Sequence, residues 1–324
     1  MKTLVIHVLG YRAIHHILNG SLSQIIEASK AVKNYNVRVV FQDNYSQDGT
    51  IEAVCKYPNI DILLSTENCM YTGGINRGLQ YIEHRYQPDF VILADADNYC
   101  NPNAYQKLVE FMEKNTDVGM AQPIVVSKKD PSHIYSCGHQ YIDGLFCRPI
   151  RELPKNMEQL LKLDSCSICS SIIRMDAFRM VGILNECFKI YYESSDLSFR
   201  VRKSGFKCAC CLEAVAYNEG TVATLTGNYH EAYYRMRNGL IFWYMHDASN
   251  YELMRNMCLE QYDKLNEQYE KNDYCTDCAS ESTRKGIIDG IKLCENNKPE
   301  VFMKMVPDIF EYDKSKLIVI QIGK

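Results

Sequence analysis

The residues Phe90-Val91-Ile92-Leu93-Ala94 form an apolar, strand-prone run that stops at Asp95-Ala96-Asp97-Asn98. Alternate side chains of a strand share a face, so Asp95 and Asp97 can point together at the strand's end. Two carboxylates that close repel one another unless a positive charge lies between them. A divalent cation, held by carboxylate oxygens and completed by phosphate oxygens, removes that conflict. The spacing therefore suggests metal-assisted handling of a phosphate-bearing substrate. Its plain alternative is turn chemistry, which also favours Asp and Asn.

Two upstream segments bear on the choice. Val37 to Phe41 is a second apolar run, ending in Gln42-Asp43-Asn44-Tyr45-Ser46-Gln47-Asp48-Gly49-Thr50 and followed by the helical pattern Ile51-Glu52-Ala53-Val54-Cys55. Ser46 or Asp48 can cap that helix. A parallel strand would deliver Asp43 to the carboxyl edge of a sheet, where α/β proteins bind ligands. The other segment runs from Glu67-Asn68-Cys69 through Gly73-Gly74-Ile75-Asn76-Arg77-Gly78. Gly73-Gly74 permits close backbone approach to a ligand. Ile75 to Glu83 reads as a helix whose first amides can face a diphosphate.

Together, in this order and spacing, the three segments resemble the family 2 glycosyltransferases with a GT-A fold. Asp43-Asn44-Tyr45-Ser46-Gln47-Asp48-Gly49-Thr50 is similar to that family's nucleotide-binding segment. Asn68 to Gly78 is similar to its Asn- and Gly-rich segment, and Asp95-Ala96-Asp97 with Pro102 to its metal segment. Leu4 to Tyr11 looks like the opening strand, and Ile172 to Glu186 like the stretch leading to the acceptor site. Tyr191 to Phe206, Tyr233 to Asn238 and Arg284 to Gly290 resemble the rhamnosyltransferase-like branch.

The resemblance implies metal-dependent, inverting transfer of a sugar from a dTDP- or UDP-sugar to a glycan or lipid-linked acceptor. It places the nucleotide sugar against Leu9, Tyr11, Asp43, Asn44, Asn68, Gly74, Asn76 and Asp95, and Mg²⁺ or Mn²⁺ on Asp95 and Asp97. The base that deprotonates the acceptor is expected at Asp196 or Glu193, with Asp196 preferred. Asp196 has a competing use as a cap of a helix starting near Leu197, and Glu193 as a partner of Arg200 or Arg202. Two departures stand out. Ser194 occupies the place of the branch's second acid, and Asn218 that of a histidine able to bind metal; His230 lies nearby in sequence. They keep an inactive nucleotide-sugar-binding scaffold of the same fold as an alternative. A nucleotidyltransferase is the other, although Leu9-Gly10-Tyr11-Arg12 is not its Gly-rich basic loop.

Composition sets the remaining bounds. The 324 residues are 46% hydrophobic, enough for a large core, and the net charge of −4 gives no electrostatic case for nucleic acid. No apolar run approaches the roughly 20 residues that span a bilayer. The first residues read as a strand rather than a signal peptide. Fifteen cysteines without such a leader point to a reducing cytoplasm, with peripheral association at the inner face of a membrane left open and the oligomeric state unread. Cys166-x-x-Cys169 and Cys275-x-x-Cys278 have zinc-site spacing, but Cys166 and Cys169 lie in a small, apolar segment where cysteine acts as a buried hydrophobe.

Strand and helix patterns alternate from Lys2 to about Gly119, which predicts an α/β fold with a mainly parallel sheet flanked by helices. Residues 122–164, with Pro123, Pro131, Pro149 and Pro154, read as loops and short strands. Glu193 to Ser204 reads as a helix with Leu197 and Val201 inward. The expected division is a GT-A domain over 1–228, with a nucleotide-sugar half at 1–120 and an acceptor half at 121–228, and a helical C-terminal extension over 229–324. Leu240 to Met245 is expected to be a buried helix face rather than a membrane contact.

Overall fold

A computed structural model describes residues 1–142, 144–219, 229–271 and 278–321. The first half alternates as the patterns predict: β1 (Lys2–Gly10), α1 (Ile14–Leu18), α2 (Ser21–Lys30), β2 (Tyr35–Asp43), α3 (Thr50–Val54), β3 (Asp61–Ser65), α4 (Met70–Tyr86) and β4 (Phe90–Asp95). Then come β5 (Tyr99–Cys100), α5 (Ala104–Lys114), β6 (Val118–Ser127), β7 (Ile134–Ser136), β8 (His139–Ile142), β9 (Phe146–Pro149) and β10 (Ser171–Arg174). The chain continues through α6 (Met175–Val181), α7 (Glu193–Lys203), β11 (Lys207–Asn218), α8 (Tyr229–His246), α9 (Ala248–Lys271), α10 (Cys278–Asn296), α11 (Pro299–Met303) and β12 (Leu317–Gln321).

The main sheet has the order β12-β3-β2-β1-β4-β10-β6-β11-β5, with β7 also on β6. Its centre, β3-β2-β1-β4, is parallel. β10 enters antiparallel between β4 and β6, so the strands beyond β4 are mixed in direction. Residues Leu4 to Gly10 of β1 are all buried, as expected of a parallel strand covered on both faces. Leu22, Ile25, Leu108 and Met112 of α2 and α5 pack one face. Ile75, Leu79 and Ile82 of α4, Phe178 of α6, and Leu197 and Val201 of α7 pack the other.

Three expectations change. β6 runs through Pro123, which the proline content had suggested was irregular; Pro123 pairs with Cys211 beside a register shift in β11, and a bulge is where a strand tolerates proline. α4 starts at Met70, five residues before Ile75, so Gly73 and Gly74 are helical. The C-terminal part is not wholly helical, because β12 pairs antiparallel with β3 and covers that sheet edge. Leu240, Ile241, Phe242 and Trp243 are buried within the core that α8 shares with α9 and α10.

Candidate active site

The parallel strands β2, β1 and β4 end side by side. Gly10 pairs with Asp43 and Leu9 with Asp95, and the ladder is carried one step further by Asn44 N–H to Gly10 O at 2.8 Å and Ala96 N–H to Leu9 O at 2.9 Å. Asp43, Asp95 and Asp97 thus reach one carboxyl edge, as their positions after apolar runs suggested.

Asp95 accepts a hydrogen bond from the Tyr71 hydroxyl at 3.0 Å. Burial, then the charge of Asp97, pushes its carboxyl up to about 7. Asp97 is also raised, chiefly by burial, while His16 opposes the shift. Paired half-buried carboxylates whose ionisation is this costly suit a divalent cation. Among the described residues no group of three or more His, Cys, Asp or Glu side chains stands ready to hold a metal. The donor set therefore fits a cation that takes two carboxylates from the protein and the rest of its shell from phosphate oxygens and water.

Asp43 is 3% exposed. One oxygen accepts from Ser46 N–H at 2.7 Å, and Oδ1 is buried without a partner. Ser46 Oγ in turn accepts from Arg12 N–H at 2.7 Å, which ties the ends of β1 and β2 together. Asp48 accepts from the backbone and hydroxyl of Thr50, so it serves the turn into α3. Tyr11 is exposed.

Several residues expected against the nucleotide sugar have partners within the chain. Asn44 donates to Met70 O at 2.9 Å and accepts from Cys69 N–H at 3.3 Å. Asn68 Oδ1 accepts from Met70 N–H at 2.9 Å, and Thr72 N–H donates to Lys189 O at 2.9 Å. Two amides of the first turn of α4 are thereby used within the chain, and the expected anion seat at Ile75 is mid-helix. Asn76, 1% exposed, clamps Leu184 through its amide, at 2.8 Å to the carbonyl and 2.9 Å from the N–H. Leu9 packs in the core with Ile75. A Cβ on Gly74 would stand 3.0 Å from Leu9 Cδ1, and one on Gly78 would collide with His7 and Gln42. These glycines let α4 lie close on the sheet.

The two candidate bases differ sharply. Glu193 is the first residue of α7 and follows Tyr191 and Tyr192, both in the left-handed region at φ 64° and 71°. Such strain persists only where surrounding structure enforces it. Here Asn238 of α8 enforces it, donating to Phe188 O, Ile190 O and Tyr191 O at 2.9, 2.8 and 2.8 Å. Glu193 is 7% exposed, and its Oε2 has no partner. Burial raises its carboxyl to about 7, with the negative charge of Asp95 acting in the same direction.

Asp196, preferred from sequence, is fully engaged. Oδ2 accepts from Arg200 at 2.8 Å and Oδ1 pairs with His246 Nε2 at 2.8 Å. Burial opposes its ionisation, but Arg200 and His246 overcome this and hold the carboxyl below its ordinary range. It does not cap α7, which begins three residues earlier at Glu193. Ser194 lies within the first turn, and the main chain of Asn218 ends β11, its carbonyl accepting from Lys128 N–H at 2.9 Å. His230 is exposed at the start of α8.

Cys166 and Cys169 have separate surroundings. Cys166 Sγ donates to Ala209 O at 3.4 Å inside the core, Cys169 Sγ meets Asn98 beside the acidic pair at 3.2 Å, and Cys275 lies outside the described residues. A separate cleft of about 800 Å³ opens between Glu67–Met70, Arg77, Lys189 and residues 307–316. None of Asp43, Asp95, Asp97 or Glu193 lines it.

The profile of the family described as "Glycosyl transferase family 2" matches residues 13–181, more than half of the chain. The chain belongs to glycosyl transferase family 2. Among its relatives, the N-acetylglucosaminyl-diphospho-decaprenol L-rhamnosyltransferase of Mycobacterium tuberculosis is 25% identical over 220 residues, covering 61% of this chain and 72% of the relative. The low-salt glycan biosynthesis hexosyltransferase Agl10 of Haloferax volcanii is 22% identical over 223 residues, covering 65% and 71%. The structure of the mannosyltransferase PcManGT from Pyrobaculum calidifontis, in complex with GDP-Man and Mn²⁺, superimposes with a TM-score of 0.54 at 13% identity, over 95% of this chain and 85% of that one. The fold of this family 2 glycosyltransferase is GT-A. No helix among the described residues is long and apolar enough to cross a membrane.

Proposed function

We propose that this family 2 glycosyltransferase moves a sugar from a dTDP- or UDP-sugar to a hydroxyl of a glycan or lipid-linked saccharide, with inversion. The observation that carries this reading is Glu193: a buried carboxylate with one open oxygen, close enough to Asp95 to feel its charge. A general base needs an oxygen free to accept the proton and a pKa near the working pH. Glu193 meets both conditions; Asp196, closed by Arg200 and His246, meets neither. We therefore assign Glu193 as the base and Asp196 as the residue that positions α7. The open oxygen of Asp43 suits the imide N–H that uracil and thymine share.

Asp95 and Asp97 would hold Mg²⁺ or Mn²⁺, which when bound supplies Lewis-acid stabilisation of the leaving diphosphate. Glu193 takes the acceptor's proton as its oxygen attacks the anomeric carbon, and the sugar–phosphate bond breaks on the opposite side. Residues 1–228 would carry this chemistry, with the following helices bracing α7 through His246 and Asn238. The free thiols among the described cysteines support a reducing compartment, so we place the reaction in the cytoplasm, where a lipid-linked acceptor would be met at the inner face of the membrane.

A panel of nucleotide sugars, each incubated with Mn²⁺ or with EDTA, tests the proposal. Release of nucleoside diphosphate from a dTDP- or UDP-sugar, stimulated by Mn²⁺, is expected. Binding without turnover would leave a scaffold, and release of pyrophosphate would indicate nucleotidyl transfer.

A further inference from the structure

One cluster at the sheet edge has no part in the assignments above. Lys128 directly follows β6, and Glu219 directly follows β11, whose last residues pair in parallel with the end of β6, Asn218 opposite Ser127. β11 also pairs with β5, Tyr217 opposite Tyr99, and Tyr99 is two residues beyond Asp97. This connectivity brings a lysine and a glutamate to the flank of the acidic pair. Lys128 Nζ lies 2.6 Å from Glu219 Oε1 and 3.3 Å from the centre of the Tyr99 ring. His16 of α1 approaches from the other side, with Nδ1 3.6 Å from Glu219 Oε2, and that nitrogen is buried without a hydrogen-bond partner.

The arrangement has a chemical sense. A leaving diphosphate gains negative charge beside Asp95 and Asp97, which are themselves acidic. Lys128 supplies positive charge on this flank, His16 adds a ring nitrogen, and Glu219 faces both. An oxyanion and a carboxylate compete for the same ammonium group. Stacking on Tyr99 keeps the Lys128 ammonium in place whichever anion it faces.

We propose that Lys128 and His16 form an anion-binding flank for the donor's diphosphate, with Glu219 acting as an internal competitor that the phosphate displaces. This inference rests on the nucleotide-sugar reading above. Its distinguishing consequence is one of sign: removing Lys128 weakens diphosphate binding, whereas neutralising Glu219 strengthens it. A purely structural ion pair would make both changes neutral or harmful.

The test is calorimetric titration of UDP and dTDP into the full chain in EDTA, repeated with Mn²⁺. Lys128→Met should weaken metal-free binding by roughly tenfold or more, the scale of one charge-assisted hydrogen bond. Glu219→Gln should tighten it by a few-fold, with a shallower gain on adding Mn²⁺, and His16→Ala should weaken it less than Lys128→Met does. Circular dichroism melts of each variant check the fold, and a Lys128→Arg chain, which keeps the charge, should recover most of the affinity. Weaker binding in Glu219→Gln, or unchanged affinity in a folded Lys128→Met chain, overturns the inference while leaving the transferase reading intact. Failure of the unsubstituted chain to bind either diphosphate with Mn²⁺ present overturns both.

Discussion

Replacing Asp196 with alanine separates architecture from chemistry at this site. The carboxylate is fully buried, bridges Arg200 on its own helix to His246 on α8, and holds the helix that begins with Glu193. Removing one partner of a buried ion pair costs about 3–5 kcal/mol, because the other charges are left uncompensated. Arg200 keeps its bonds to Val181 O and Ile183 O and its side chain is 15% exposed, so the loss falls near the lower figure. At about 2–4 °C per kcal/mol, the midpoint of thermal unfolding should drop by about 6–12 °C. The pH dependence carries a sign. A carboxyl held below its ordinary range binds its proton more weakly in the folded chain than in the unfolded one. The stabilisation is therefore complete above the unfolded value near 4 and is lost on acidification below it. Thermal melts by circular dichroism should show a gap between parent and Asp196→Ala at pH 7 that narrows as the pH falls below about 4. Transfer per folded molecule at 20 °C should fall less than about tenfold, well short of the loss that removing a general base produces. An unchanged melting midpoint together with abolished transfer would refute this account and return Asp196 to the role of base.

The remaining expectations are briefer. Because Glu193 must be ionised to accept a proton and its carboxyl is raised to about 7, kcat/KM should rise with pH and level off above that value, a limb absent in Glu193→Gln. In EDTA the same raised carboxyl makes the folded chain the tighter proton binder, so stability should decline from about pH 4.3, the ordinary glutamate value, up to about 7; melts across that range check it. Asp97→Ala should leave the fold intact, abolish transfer and remove the dependence of nucleoside diphosphate binding on Mn²⁺, as read by calorimetry. Asp43→Ala should weaken UDP and dTDP binding equally with and without metal, and equal affinities in both chains would make Asp43 a turn residue.

The carboxyl edge was legible because it depends on local pattern alone. Apolar runs ending at Asp43 and at Asp95 place their own side chains once the strands are parallel neighbours. The start of α4 was not legible: Gly73 and Gly74 argue against helix by propensity, yet close packing of α4 on β1 leaves little room for a Cβ at Gly74. The uses of Asn44, Asn68 and Asn76 were also hidden, since an amide's motif position does not say whether its partners are a ligand or carbonyls of the same chain; Asn76 meets Leu184, 108 residues away. The different surroundings of Glu193 and Asp196 were hidden for the same reason. The partner that closes Asp196, His246, lies 50 residues on, in a stretch whose sequence shows only an apolar helix. His16, Lys128 and Glu219 carried no spacing signal, because three separate elements bring them together. Asn238 stood in a motif of the branch, but its clamp on the loop before Glu193 appears only in three dimensions.

The central claim is that a sugar is transferred with Glu193 as the base. Its most direct measurement is acceptor-dependent release of nucleoside diphosphate by Glu193→Gln, using the donor and acceptor that turn over in the parent chain, alongside calorimetric donor affinity. The account predicts a loss of about a hundredfold or more in turnover with donor affinity retained. Turnover in Glu193→Gln within a few-fold of the parent would contradict it.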